Sequence, residues 1–278
     1  MAARTMSGST PKKPAGTGKR KIPVRKIDAT DLNRSLADGW SDFMEMRGDI
    51  IFLMILYPVI GIIAAVATLG GPLIPLFLPI AAGIGLLGPV AAVGFYEMAR
   101  RREMGLHSNW PHFLDVRKRP SFDEIAAVSA LLLAIFVLWL IAAGALYVAL
   151  FGWNEPASVT AFLGDVFTTG RGWAMILIGS IVGIVFATAV LALSVVSMPM
   201  LVDNDVSAAD AVRTSIRATR ENPGAMLRWG IIVAALLIAG SIPLFIGLAV
   251  VLPWLGYATW HLYTRLVDRS AIATRRRS

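Results

Sequence analysis

Between Ile50 and Tyr96 the chain runs for 47 residues without one Asp, Glu, Lys, Arg or His. As a single helix that run would be ~70 Å long at ~1.5 Å per residue. The hydrocarbon core of a bilayer is only ~30 Å thick, so the run must cross, turn and cross back. Three more stretches lack Asp, Glu, Lys and Arg: Ile125–Asn154, Gly172–Val202 and Trp229–Thr264. A chain of this kind is an integral membrane protein built from helices, because helices satisfy every backbone hydrogen bond within the segment.

The turn residues divide the runs into six spans. Gly70-Gly71-Pro72 splits the first run into spans of about 50–69 and 73–97. The third and fourth spans cover about 124–150 and 172–198, joined by a Gly-, Asn-, Pro- and Thr-bearing loop, Phe151–Arg171. Gly240-Ser241-Ile242-Pro243 splits the last run into about 225–241 and 243–264, the former short for a crossing. Six spans put both termini on one side. That side receives 25 basic residues and the other receives Arg171 alone, so the positive-inside rule makes the basic side cytoplasmic. Trp153 and Trp173 fall at the outer ends of spans, and Trp40, Trp110, Trp229 and Trp260 near the inner boundary, where indole rings favour the headgroup level. The first apolar run begins too late for a cleaved signal peptide and is expected to be retained.

Composition excludes some chemistry. Cysteine is absent, which removes disulfides, thiolate nucleophiles and iron–sulfur clusters. The net charge of +8 belongs to residues 1–27, which hold eight basic residues and no acid. With its Pro, Gly and Ser content this segment is expected to be a disordered tail. It lacks the aromatic interleaving of a nucleic-acid binder, so anionic lipid head groups are the expected partner and nucleic acid is not. The expected domains are this tail, a membrane domain over 28–268 and a second basic tail over 269–278.

The cytoplasmic side carries amphipathic patterns. Leu32, Leu36, Trp40 and Phe43 share one helical face, with Asp31, Asp38, Asp42 and Glu45 away from it and Thr30 in a capping position. Trp110, Phe113 and Leu114 form a second candidate. Over 205–221, Ser207-x-x-Asp210 resembles a capping box. Ala208, Ala209, Val212 and Ile216 form an apolar stripe there, and Arg213, Arg217 and Arg220 a basic one. These read as helices lying in the interface, with the three arginines and Trp40 and Trp110 meeting lipid head groups or a protein partner. Trp-x-x-Phe-x-x-x-Arg occurs at Trp40 and at Trp110. Ile-Pro-Leu-Phe occurs at Ile74 and at Ile242, with Ala81, Leu87-Gly88 and Arg101 matched by Ala249, Leu255-Gly256 and Arg269 at the same offset. The pattern suggests three copies of one unit: interfacial helix, span, span.

Two segments, Gly94-Phe95-Tyr96-Glu97-Met98-Ala99-Arg100-Arg101-Arg102-Glu103 and Ser197-Met198-Pro199-Met200-Leu201-Val202-Asp203-Asn204-Asp205-Val206 with the later Asn222-Pro223-Gly224, resemble a bacterial family of predicted integral membrane proteins of unknown function. The resemblance covers roughly residues 25–268. It implies a multi-pass protein of the bacterial cytoplasmic (inner) membrane and carries over no site residue. Some relatives bear a cytochrome c oxidase subunit label. The three histidines, His107, His112 and His261, lie at or near the inner boundary and do not make an oxidase core.

Other chemistry is sparse. Glu97 stands one turn from Arg100 and Arg101, as a proton-sensitive group or, more simply, a helix-end ion pair. Thr188, Ser194 and Ser197 line a polar path or bond to the preceding turn's carbonyls. Asp203-Asn204-Asp205 suggests a helix-start cap rather than a cation site, for want of a second acidic cluster. Gly179-x-x-x-Gly183-x-x-x-Ala187 allows close helix approach, within the bundle, in a homo-oligomer or against a membrane-protein partner. The expected fold is all-α: a polytopic transmembrane bundle, six spans as three hairpins, with cytoplasmic amphipathic interfacial helices. The expected role is non-enzymatic, structural or interacting, with no cofactor or metal. The alternative is a small permease or channel for a neutral or lipid-like solute.

Overall fold

The computed structural model describes residues 22–46, 73–77, 79–80, 87–153, 155–243 and 245–272. Among them the chain is helical apart from one isolated antiparallel bridge, Val24 to Val267. The helices are α1 (Ala29–Glu45), α2 (Val93–Glu103), α3 (Phe122–Phe151), α4 (Val159–Thr168), α5 (Gly170–Ser194), α6 (Ser197–Asp203), α7 (Ala208–Glu221), α8 (Pro223–Ser241) and α9 (Leu248–Leu266). A 3₁₀ helix over Trp110–Lys118 joins α2 to α3, and a short one at Ile74–Leu76 and a single turn at Gly88–Ala91 precede α2.

Three helical stretches are long and apolar enough to cross a membrane: Phe122–Phe151, Gly170–Asp203 and Pro223–Ser241. Their most apolar windows are only 17%, 6% and 17% buried by protein. Ile141, Ile181, Ile184 and Ile231 stand more than half exposed, a surface suited to lipid rather than water. The ends of α3, α5 and α8 fall within a few residues of the expected third, fourth and fifth spans. The first span and the Gly70-Gly71-Pro72 turn lie outside the described residues. The second is described in part, its inner end forming the start of α2.

α3 and α5 run antiparallel. A Cβ on Gly183 would lie 3.1 Å from Trp139 Cη2, and one on Gly179 would lie 3.5 Å from Leu146 Cδ2. The ridge therefore packs these two helices within one chain, while Ala187 is exposed. α5 breaks at Val195–Val196 before α6. Pro199 causes this: it has no N–H to give and its ring opposes the carbonyl four residues back. The Val196 amide left without a helical acceptor donates to Ser215 Oγ of α7 at 3.1 Å.

The core sits at one end. Leu132, Val196, Met198, Leu201, Trp229 and Trp260 are all essentially inaccessible there. α9 is its hub, clad by α1, α2 and α8. Gly39 makes the α1–α9 crossing close, since a Cβ there would lie 2.4 Å from the Ala258 amide nitrogen. At the opposite end, among the described residues, Ile74, Phe162 and Val166 are buried together.

Three local readings differ from expectation. α1 is capped by Asp28, whose carboxylate accepts from Thr30 and Asp31 amides. Its buried face includes Ser35, Gly39 and Asp42, while Trp40 is 40% exposed. Apolar periodicity could not anticipate this, because Asp42 is partnered by Arg102 and His261 on other helices. On α7 the buried face is Ala211, Thr214, Ser215 and Ala218, with Ala209 outside; small side chains let α7 approach the α5–α6 break. The 151–171 segment contains a helix, α4, capped by Ser158 and anchored by Phe162 and Val166.

Candidate functional site

The core end is also where the charge gathers. Every described ion pair joins residues from 25–45, 97–119, 203–221 and 261–269. Four arginine-bearing segments, remote in sequence, thus meet at one pole. At the other pole Arg171 lies 5.3 Å over the Phe151 ring.

Glu97 is the most buried charge, its side chain 2% exposed. Arg100 embraces it through Nε at 3.0 Å and Nη2 at 2.7 Å, a bidentate pair of the strong kind. This is the ion-pair reading of Glu97. Arg119 Nε approaches the same carboxylate at 4.0 Å. Arg119 Nη2 donates to the Val202 and Asp203 carbonyls at 2.7 and 3.3 Å. These are the last carbonyls of α6, which lack helical partners and attract a cation. One arginine therefore ties α2, the 3₁₀ segment and α6 together.

Asp203 accepts from Tyr263 Oη at 2.8 Å and Asn204 Nδ2 at 2.9 Å, with Arg269 Nη1 at 3.7 Å. It closes α6 onto α9 rather than starting a helix, and Ser207 caps α7 instead. Glu103 accepts from Trp260 Nε1 at 3.0 Å and from Arg269. Burial raises the Glu103 carboxyl, but the hydrogen bond and charge of Arg269 outweigh it and hold the carboxyl below its ordinary range. Asp42 is shared by Arg102 Nε at 3.2 Å and His261 Nε2 at 2.9 Å, and Arg265 reaches Asp38 at 2.6 Å. These bonds lock α1 to α2 and α9.

The N-terminal strap belongs to the same pole. Arg25 N donates to Leu266 O at 2.7 Å, and Asn222 Oδ1 accepts from Ile27 N at 2.9 Å. Residues 22–27, counted with the basic tail in sequence, lie against α7 and the end of α9; residues 1–21 lie outside the described residues.

The arginine stripe divides. Arg213 is exposed and 3.5 Å from Asp210; Arg217 donates to the Ile22 carbonyl and lies 3.8 Å from Glu221; Arg220 is exposed. Trp40 stacks edge-on against Trp254 at 5.0 Å. The side chain of Trp110 lies outside the described residues. Ser194 Oγ donates to Val190 O at 2.6 Å and Ser197 Oγ to Leu193 O at 2.5 Å, so both bond to the preceding turn. His112 Nδ1 accepts from the Asn109 amide at 3.3 Å. Among the described residues no three His, Asp or Glu side chains group in a way that could hold a metal ion.

Sequence reasoning missed the Asp42–His261–Arg102 and Glu103–Arg269 contacts. Their signal was faint: polar residues near the inner ends of spans, on segments at least 60 residues apart.

Residues 76–203 match the model of a protein family described as "Predicted integral membrane protein (DUF2189)". The match includes Glu97, Arg100, Arg119 and Asp203, and it supports a membrane protein while assigning no activity. No curated protein and no solved structure matches the chain.

Proposed function

We propose that this chain is a non-enzymatic structural or interaction protein of the bacterial cytoplasmic membrane. Its six apolar segments enter the bilayer as three pairs, and both termini stay in the cytoplasm. One observation carries the reading: lipid-suited helices project from a pole where the arginine-bearing segments converge, and Arg171 is the lone base expected beyond them. The exposed arginines of that pole, Arg213 and Arg220, with the basic tails, meet anionic head groups. The bonding of Ser194 and Ser197 back to carbonyls of the preceding turn speaks against a polar path for a solute.

Reporter fusions test the orientation. Fusions after Asp115, Asp210 and Arg269 should report the cytoplasm, and one after Glu155 the periplasm. A periplasmic signal after Arg269 would overturn the arrangement.

A further inference from the structure

The third pair, α8 and α9, differs from α3 and α5 in reach. A Cβ on Gly230 would lie 3.3 Å from Leu191 Cδ2, which places these two residues at one level. From Leu191, α5 runs outward 18 residues to Trp173, ~27 Å. From Gly230, α8 runs outward 11 residues to Ser241, ~16 Å. The turn after Ser241 therefore falls ~10 Å short of the level that Trp173 marks, and any tilt of α8 shortens its reach further.

The inner limits agree. Arg228 is exposed on α8, and Met226 and Trp229 are buried in the core pole. Arg228 to Ser241 is ~20 Å of helix, against ~30 Å of hydrocarbon. On α9 the stretch from Trp254 to Arg265 is covered by α1. The covering helix exposes Asn33, Arg34, Ser41 and Glu45 on its other side, so it cannot lie among acyl chains. Only Leu248–Pro253 remains below it, ~8 Å.

The turn itself is built for an apolar medium. No Asp, Glu, Lys, Arg or His occurs from Trp229 to Trp260. Ile238, Ile242 and Ile246 are 65%, 78% and 45% exposed. The one hydroxyl in residues 238–247, Ser241 Oγ, donates back to Leu237 O at 2.8 Å. Gly240 and Gly247 let the two helices meet, since a Cβ on Gly247 would lie 2.8 Å from Gly240 Cα. By contrast, the α3–α5 connection carries Trp153, Glu155, Asp165 and Arg171, residues suited to the water interface.

We infer that the α8–α9 pair is a half-crossing: it enters from the basic pole, turns inside the hydrocarbon and returns, and the exposed surface of its tip meets acyl chains. This rests on the membrane reading above and revises it for the last pair. The absence of native cysteine makes the test direct. Single-cysteine variants Glu155→Cys, Asp210→Cys and Ile242→Cys of the full chain are probed in intact cells with a membrane-impermeant maleimide, then in detergent. Glu155→Cys should label from outside. Ile242→Cys should stay at the cysteine-less background until detergent is added. Nitroxides at positions 231, 238 and 242 should show the ratio of oxygen to nickel-chelate collision rising towards 242.

Labelling of Ile242→Cys from outside, at the rate of Glu155→Cys, would overturn the half-crossing and leave a full one. A ratio that peaks before 242 would do the same. Low collision with both oxygen and chelate at 242 would show a protein partner over the tip and overturn the acyl-chain assignment. Failure of the orientation itself would appear separately, as outside labelling of Asp210→Cys.

Discussion

Gly39 and Glu97 show how single residues hold this protein together. The Gly39 site faces backbone atoms of Ala258, which cannot swing aside as a side-chain tip would. Gly39→Ala should force α1 off α9 at a cost of about 3 kcal/mol, the upper range for overpacking. A lower melting temperature in detergent and in lipid checks this. At Glu97 the buried carboxylate depends on Arg100. Arg100→Ala should cost about 3–5 kcal/mol, the usual penalty for stranding one partner of a buried pair, and Glu97→Gln in the same background should recover part of it. A fully additive double mutant would mean the two groups do not interact. Glu103 adds a pH dependence. Its carboxyl is held low in the folded chain, so its stabilising effect is present at neutral pH and is lost as pH falls through the folded value. The melting temperatures of wild type and Glu103→Gln should differ at pH 7 and converge below about pH 4; a gap that widens in acid would contradict the Arg269 pairing.

At the scale of elements, glycine spacing on α5 sets helix contact and proline sets helix breaks. Gly183→Leu should push α5 from Trp139 and cost about 1–3 kcal/mol. Unchanged stability would mean that this ridge faces lipid. The i, i+4 glycines were visible in sequence because small residues at that spacing have one obvious use in a bilayer; which helix they face was not, since any of several partners would do. α4 was hidden for a different reason. Its ten residues carry Gly, Thr and Asp, all weak helix formers, and it persists because Phe162 and Val166 pack beneath the outer ends of α3 and α5. The amphipathic α1 and α7 were recognisable, and Leu32 and Phe43 of the expected α1 face are buried, but the burial of Ser35, Gly39 and Asp42 on α1 and of Thr214 and Ser215 on α7 was not, because hydrophobic periodicity discounts polar and small residues.

For the whole molecule, two distinct poles joined by lipid-facing helices explain why charge and apolar surface segregate so fully. Anionic lipid should raise the melting temperature of the purified chain at low salt more than zwitterionic lipid does. That difference should shrink at 1 M salt, where screening shortens the field to ~3 Å. Arg213→Ala with Arg220→Ala should reduce it, while Arg217, engaged by Ile22 and Glu221, should matter more for stability than for lipid. An effect insensitive to salt would move the role of those arginines from lipid to a protein partner.

The sequence alone determined the solvent, the helical class and the segregation of charge, because hydrophobic run length and basic asymmetry are read against a slab of fixed thickness. Tertiary structure alone decided which charges pair, which faces of α1 and α7 are buried, and how far α8 and α9 reach. Those outcomes depend on contacts between segments such as 29–45 and 248–266, and partner choice at that separation leaves no period in the sequence. A helix of nineteen residues is long enough to cross a membrane; how much of it the core pole occupies, and so how deep it goes, is set by what packs around its ends.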